Sequence, residues 1–260
     1  MSLVDAAIIT GAGRGIGRSI ALDLGKNGIP ILCISKSSNA ETTMLNIQRL
    51  GGKAECLILD IKNYNETKKI LTEWTVKTTY KKLAVILAAS ILGPKGPFIN
   101  CSLQDWDECQ KVNVLGNLAV LQGVLPKMLE NKFGRIVTFA GGGSAYAFPV
   151  FPAYSATKTA IVRITENLNE DLATKGDFSI VCLSPGAVET DMLKTVRQAG
   201  AEIKTVTDIS EPVTFIREFV NSVSCNFSGA FIHVRDNWRD YLNSTANIAD
   251  SSRWKLRRIE

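Results

Sequence analysis

Seven short apolar runs alternate along the chain with longer helical stretches. The apolar runs, which we predict to be strands, are Val4-Thr10, Ile31-Ile34, Ala54-Leu59, Leu83-Ala88, Arg135-Phe139, Ser179-Leu183 and Ala230-Val234. Polar residues rarely interrupt them, and continuous hydrophobicity is typical of strands that are covered by helices on both faces. The pattern therefore predicts a buried parallel sheet.

The stretches between these runs predict helices near 15–27, 40–51, 65–79, 103–130, 155–175 and 210–223. Each is long enough to connect one parallel strand to the next in a βαβ unit. Repeated units of this kind form an α/β fold with a doubly wound, Rossmann-like parallel sheet. We expect one domain over residues 1–242, followed by a basic tail over 243–260.

The composition is that of an ordinary globular protein, with 45% hydrophobic and 21% charged residues among 260. Six cysteines are scattered without close pairs, which favours reduced thiols over disulfides, and a single histidine makes zinc unexpected. No apolar stretch approaches membrane-spanning length, and no basic leader precedes the first strand. We therefore expect a cytoplasmic protein with no metal and no membrane partner.

The formal net charge of +5 has its clearest local concentration in the C-terminal tail, at Arg253, Lys255, Arg257 and Arg258. A solvated end or a subunit-contact arm is favoured there over a nucleic-acid contact.

A glycine-rich turn follows the first predicted strand, in Thr10-Gly11-Ala12-Gly13-Arg14-Gly15-Ile16-Gly17. Glycines let the backbone turn sharply and approach a pyrophosphate, and the helix that begins near Gly15 offers unpaired N–H groups to that anion. Ile16 occupies the third glycine position of Gly-x-Gly-x-x-Gly, so that motif does not fit. The spacing instead fits Thr-Gly-x-x-x-Gly-x-Gly and resembles the short-chain dehydrogenase/reductase family.

Two basic residues bear on the choice of dinucleotide. An acidic residue that ends the second strand normally receives the adenosine ribose hydroxyls, but this chain has Ser35-Lys36 at that point. Arg14 lies where NADP-using members of the family often carry a base. Together, Lys36 and Arg14 could neutralise a 2′-phosphate. NADP(H) is favoured, and NAD(H) stays possible.

Tyr154 and Lys158 stand one helical turn apart in Tyr154-Ser155-Ala156-Thr157-Lys158. Residues i and i+4 share a helix face, so an ammonium beside a phenol can favour its ionised form. By resemblance, Tyr154 is the general acid or base of the reaction, and Lys158 lowers its pKa and holds the nicotinamide ribose. The resemblance also implies that Asn113 joins a proton relay through a water on its carbonyl.

The resemblance runs from Thr10 to about Val234 and implies further cofactor contacts. Asp60 matches the family aspartate near the adenine amine, although a strand-ending aspartate can also be a helix cap. The backbone near Val188 and the hydroxyl of Thr190 would hold the carboxamide. The remaining expected cofactor contacts are Ile16, Ile61, Ala88, Pro185 and Gly186.

The chain departs from the family pattern at two points. Leu87-Ala88-Ala89-Ser90 replaces the common Asn-Asn-Ala-Gly, and Ala140-Gly141-Gly142-Gly143 stands where the catalytic serine belongs. Three explanations are open: Ser144 on a flexible glycine turn supplies the hydroxyl, glycine N–H groups form an oxyanion-type site, or the chain binds cofactor without turnover.

These features predict an oxidoreductase that transfers a hydride between NADP(H) and a carbonyl or secondary alcohol in a small-molecule substrate. The alternative is an NADP(H)-binding sensor or scaffold. The resemblance also implies a substrate lid near 190–206 and a homodimer or homotetramer formed through the helices at 103–130 and 155–175.

Overall fold

The computed structural model describes residues 2–223, 226–242 and 255–256. Its strands are β1 (Ala6–Thr10), β2 (Ile31–Ser35), β3 (Ala54–Ile58), β4 (Leu83–Leu87), β5 (Phe133–Phe139), β6 (Asp177–Ser184), β7 (Ala187–Val188), β8 (Val206–Thr207) and β9 (Ala230–His233). Seven of them form one parallel sheet in the order β3-β2-β1-β4-β5-β6-β9, and β7 pairs with β8 separately. The predicted doubly wound α/β fold is confirmed.

The helices are α1 (Gly15–Lys26), α2 (Asn39–Arg49), α3 (Tyr64–Lys77), α4 (Leu103–Gln110), α5 (Asn117–Glu130), α6 (Pro152–Leu172), α7 (Asp191–Gln198), α8 (Ser210–Val220) and α9 (Trp238–Leu242). A 3₁₀ turn covers Phe98–Asn100. The helix predicted over 103–130 is not uniform, because a π-helical segment, Lys111–Gly116, joins α4 to α5. The helix predicted over 155–175 begins three residues earlier, where Pro152 suits the first turn of α6.

Both faces of the sheet are covered, which explains the uninterrupted apolar strands. Successive residues of β1 enter different clusters: Ile9 packs with Phe215 and Phe219 of α8, whereas Ile8 packs with Val120 and Val124 of α5. Because side chains alternate across a strand, both faces must be apolar.

One stretch is more membrane-like than the sequence led us to expect. Among the described residues, the continuous helical stretch Leu103–Glu130 is long and apolar enough to cross a membrane by length and composition. About half of its most apolar window, 56%, is buried inside the protein, as in a core helix. The expectation that no apolar stretch reaches this length was therefore wrong.

Candidate active site

A cavity of about 600 Å³ opens beyond the carboxyl ends of the central strands. It lies at the switch point between β1 and β4, where the order of the strands in the sheet reverses. Such a crevice is the usual ligand site of a doubly wound sheet. The predicted site residues that line it are Gly11, Arg14, Gly15, Ile16, Gly17, Ser35, Lys36, Asp60, Ile61, Ala88, Tyr154, Lys158, Pro185 and Thr190. Four others, Asn113, Ser144, Gly186 and Val188, do not line it.

The glycine turn is shaped for close approach to a ligand. Gly11 and Gly15 have positive φ angles of 67° and 54°, which favour glycine. A β-carbon at Gly17 would lie 2.5 Å from the Gly11 carbonyl oxygen, so the turn and α1 pack too closely for any side chain. Within the described part of the chain, the amides of residues 15–17 have no acceptor, because the first bond of α1 runs from Arg18 to Arg14. Unpaired amides at the start of a helix are suited to binding an anion.

The cations around this turn differ in their partners. Arg14 and Lys36 line the cavity, and neither forms an ion pair with the residues that the structure describes. Lys62, which sequence reasoning missed, also lines it, but its ammonium lies 2.7 Å from the Glu108 carboxylate. Two cations without an ion-pair partner among the described residues therefore line the cavity near the end of β2.

Asp60 and Ser90 carry the polar groups at the middle of the cavity. Asp60 Oδ1 accepts a hydrogen bond of 3.1 Å from the Lys62 amide, so the carboxylate also closes the turn after β3. The Ser90 hydroxyl oxygen is buried without a partner among the described residues. Because a buried hydroxyl normally has a partner, Ser90 fits a polar group of a bound dinucleotide.

The unusual segment after β4 is held by Thr10, the first residue of the glycine-rich motif, and by Asn117, which the sequence did not single out. Thr10 Oγ1 accepts from the Ala89 amide at 2.9 Å and donates to Asn117 Oδ1 at 2.9 Å. Asn117 Nδ2 in turn donates to the Ala89 carbonyl at 2.9 Å. These two side chains thus hold a segment that lacks polar side chains at its first positions.

Tyr154 and Lys158 project from one face of α6 into the cavity, and both are buried. The Lys158 ammonium lies 5.4 Å from the centre of the Tyr154 ring and donates to the Phe139 carbonyl at 3.0 Å. Burial lowers the pKa of Lys158 to about 8. Burial also raises the pKa of Tyr154. The expected lowering of the Tyr154 pKa is not found in this structure, because desolvation by burial is the largest influence on it and the neighbouring Cys109 and Tyr146 raise it further.

Asn113 lies in the π-helical segment and connects two parts of the site. Its side-chain amide donates to the Ile91 carbonyl at 2.9 Å and to Thr157 Oγ1 at 3.0 Å, while its oxygen accepts from the Ile91 amide at 2.8 Å. Asn113 therefore joins the loop after β4 to α6 next to Lys158. The relay through its main-chain carbonyl stays a prediction.

The triple-glycine turn is anchored, contrary to the expected flexibility. The Ser144 hydroxyl donates to the Gly141 carbonyl at 2.8 Å and accepts from the Gly141 amide at 3.0 Å. From α6, Ser155 Oγ donates to the Gly143 carbonyl at 2.9 Å. The amides of Gly142 and Gly143 have no acceptor within the described residues. Ser144 thus closes its own turn, and two glycine amides are left available.

The predicted lid contains a helix that the sequence analysis did not identify. Thr190 caps α7 by accepting from the Leu193 amide at 3.4 Å. Leu193 and Val196 pack against Phe151 and Tyr154. Four charged residues form two ion pairs that keep charge on the outer face, namely Arg197 with Glu189 and Lys194 with Asp191.

Gly186 and Val188 lie behind the cavity wall. Gly186 has a φ of 74°, and a β-carbon there would clash with Thr207 of β8. The Val188 side chain is buried, and its carbonyl accepts from the Thr190 hydroxyl at 3.2 Å. In this structure these residues support Thr190, and their predicted contacts with a carboxamide stay predictions.

Neither a metal-binding cluster nor a disulfide is present in the part of the chain that the structure describes. No group of three or more His, Cys, Asp or Glu side chains there could hold a metal ion. The five described cysteines are free thiols, and Cys225 lies outside the described residues.

Known proteins share both the sequence pattern and the fold. A short-chain dehydrogenase of Pseudocercospora fijiensis is 29% identical over 189 residues, which are 72% of this chain and 60% of that relative. A 3-oxoacyl-(acyl-carrier-protein) reductase of Staphylococcus aureus is 26% identical over 194 residues, which are 74% of this chain and 78% of the relative.

Solved structures agree with these relatives. A candidate NAD(P)-dependent gluconate 5-dehydrogenase from Beutenbergia cavernae, solved with NADP at low occupancy, has a TM-score of 0.82 and 26% sequence identity. The similarity covers 92% of this chain and 98% of that one. The family model for short chain dehydrogenases matches residues 5–201. The chain therefore belongs to the short-chain dehydrogenase/reductase family, whose members are NAD(P)-dependent oxidoreductases acting on alcohol and carbonyl groups.

Proposed function

We propose that this protein is an NADP(H)-dependent oxidoreductase that interconverts a carbonyl and a secondary alcohol in a small-molecule substrate. The observation that carries the proposal is that the glycine turn and the Tyr154 and Lys158 side chains share one cavity. The cavity is thereby lined by both a candidate anion site and a candidate proton-transferring side chain. This is the arrangement that dinucleotide-dependent redox chemistry needs.

Tyr154 is the proposed proton donor to the carbonyl oxygen in reduction and the proton acceptor in oxidation. When bound, the nicotinamide supplies or accepts the hydride. Because burial raises the pKa of Tyr154, the phenol carries its proton at neutral pH, which is the form that a proton donor needs. Tyr154 lines the cavity, and its hydroxyl forms no hydrogen bond with the residues that the structure describes, so it is available to a substrate oxygen.

Lys158 is proposed to hold the cofactor ribose and to compensate for charge on Tyr154. With its pKa near 8, Lys158 is mainly protonated at neutral pH. Its bond to the Phe139 carbonyl fixes the ammonium at the end of β5, beside the triple-glycine turn at Gly141–Gly143. Activity that depends on this ammonium should decline as the pH rises above about 8.

The Gly142 amide is our proposed replacement for the missing serine hydroxyl. Ser144 and the Gly141 amide already bond to each other, which favours the backbone donors over the displaced hydroxyl. Amides aimed at a developing oxyanion are effective donors, and loss of one such donor costs about a hundred- to a thousandfold in rate. Gly142→Pro removes the N–H, whereas Gly142→Ala keeps it, and its β-carbon would make only ordinary van der Waals contacts, 3.8 Å from the Tyr146 hydroxyl oxygen and 4.0 Å from Phe148.

NADP(H) is the proposed cofactor, with NAD(H) bound more weakly. Arg14 and Lys36 supply two unpaired cations near Ser35, and no carboxylate stands at the end of β2 to repel a 2′-phosphate. The oligomeric assignment also stays a proposal, namely a homodimer or homotetramer that uses α4, α5 and α6.

Turnover measurements test the enzyme directly. NADPH oxidation is followed with panels of ketones, sugars and ketoacyl thioesters, and NADP⁺ reduction with the matching alcohols. Turnover that is lost in Tyr154→Phe supports the proposal. Tight NADPH binding without turnover across the panels would instead favour the alternative, a sensor or scaffold, which the replacement of the family serine by glycine motivates.

A further inference from the structure

Leu256, from the predicted basic tail, lies against the catalytic helix α6. The Arg163 guanidinium donates to the Leu256 carbonyl at 2.7 Å, and the Leu256 amide donates to Glu166 Oε1 at 2.9 Å. Arg163 and Glu166 are one helical turn apart and also pair with each other. Side chains of α6 thus bind both main-chain groups of a residue that is 90 positions further along the chain.

The buried carboxylate of Glu166 explains why this contact is specific. The Glu166 side chain is only 6% exposed. A buried carboxylate is costly unless it is paired and hydrogen-bonded. The Leu256 amide supplies one of its bonds and Arg163 supplies another, so α6 carries a site for an extended main chain.

The Leu256 side chain packs against a small apolar cluster behind the catalytic residues. The cluster comprises Val114, Ala140, Ile161, Val162 and Cys182. Three of these residues adjoin the active site in sequence: Val114 follows Asn113, Ala140 precedes Gly141, and Ile161 lies about one turn beyond Lys158. A leucine on this cluster therefore contacts the layer that supports the active site from behind.

We infer that Leu256 acts as a strap that binds α6 and steadies the layer behind Lys158 and the triple-glycine turn at Gly141–Gly143, which makes Leu256 a positioning residue. The role deepens the proposed function, but the contact itself does not depend on it. At Leu256 the contact is made within the chain, unlike a subunit-contact arm, a solvated end or a nucleic-acid contact, and the rest of the predicted basic tail, residues 243–254 and 257–260, lies outside the described residues.

Hydrogen exchange on the full-length protein tests the strap without any substrate. Leu256→Pro removes the amide that Glu166 binds, Leu256→Ala removes the side chain, and Lys255→Ala is the neighbouring control. We expect exchange in peptides covering 139–166 to rise by about tenfold in both Leu256 variants, while peptides covering 11–26 exchange as in the wild type. Unchanged exchange, or a uniform rise across the protein, would overturn the strap.

Kinetics separate positioning from simple stabilisation. If turnover is found, both Leu256 variants should lower kcat by about tenfold, while their Kd for NADPH stays at the wild-type value. The control variant Lys255→Ala should keep the wild-type melting temperature. Equal losses in kcat and cofactor affinity would contradict a positioning role. So would a change of oligomeric state with normal kcat, because the tail would then be a subunit-contact arm. The exchange result stands even if no turnover is found, so failure of the strap and failure of the proposed function are distinguishable.

Discussion

The hydroxyl of Tyr154 occupies the space that a side chain at Gly141 would need. A β-carbon at Gly141 would lie 3.0 Å from Tyr154 Cζ and closer still to the hydroxyl oxygen, well inside van der Waals contact. Gly141 is one of the residues that stand where the family serine belongs. The glycine therefore sets where the tyrosine lies, in addition to removing a hydroxyl.

Reintroducing a side chain at this position should harm catalysis. Gly141→Ser restores the family residue type, but its β-carbon would displace the Tyr154 ring, and a misplacement of about 1 Å can cost about a hundredfold in rate. We expect Gly141→Ser and Gly141→Ala both to lower kcat by at least about tenfold. Gly142→Ala, which keeps the N–H and whose β-carbon would lie no closer than 3.8 Å to the described residues around it, is the control and should retain kcat. A higher kcat in Gly141→Ser would show that the missing hydroxyl matters more than the tyrosine position.

The two unpaired cations should determine cofactor preference. Lys36→Ala and Arg14→Ala each remove a charge-assisted contact to a 2′-phosphate, and such contacts contribute about 1.5–3 kcal/mol. We expect the Kd for NADPH to rise at least about tenfold in each variant, with little change for NADH. Fluorescence titration measures both values. Lys26→Ala, at the far end of α1 and outside the cavity, is the control. Tighter binding of NADH than NADPH by the wild type would contradict the assignment.

The buried Lys158 should make stability depend on pH with a predictable sign. Its pKa is lowered to about 8, whereas an unfolded lysine titrates near ~10.4. Between these values the unfolded chain binds more protons, so raising the pH favours the folded state. Relative to Lys158→Met, the wild type should gain on the order of 3 kcal/mol in unfolding free energy between about pH 7 and 10.

Denaturant titration of both proteins at several pH values measures this difference. The comparison is necessary because burial also raises the pKa of Cys182 to about 11, and this thiol opposes the trend above pH 9 in both proteins. A free-energy difference that stays constant with pH would contradict a Lys158 pKa near 8.

Much of the fold could be predicted because burial on both faces leaves a simple sequence pattern. All seven predicted strands exist, since the central strands β1, β4 and β5 are buried on both sides and had to be apolar throughout, whereas the edge strand β3 is only partly buried. Short elements were missed. The two-residue strands β7 and β8 are too short to show a period, and α7 has only Leu193 and Val196 as a buried stripe.

The sequence identified many residues of the candidate site but few of the contacts between them. Glycine spacing and the i, i+4 pair identified the cavity, because local geometry dictates both. The Ser144 bonds to Gly141, the Thr10–Asn117 support and the docking of Leu256 depend on residues far apart in the chain or on turn geometry. The periodic pattern of apolar residues along the sequence does not reveal such contacts.

Single-turnover reduction by Tyr154→Phe tests the central claim most directly. The variant removes only the hydroxyl of a buried ring, so NADPH should bind with a Kd close to that of the wild type. With NADPH already bound and a carbonyl substrate from the panels added, we predict that the variant transfers hydride about a hundred- to ten-thousandfold more slowly. An unchanged single-turnover rate in Tyr154→Phe would contradict its role as the proton donor.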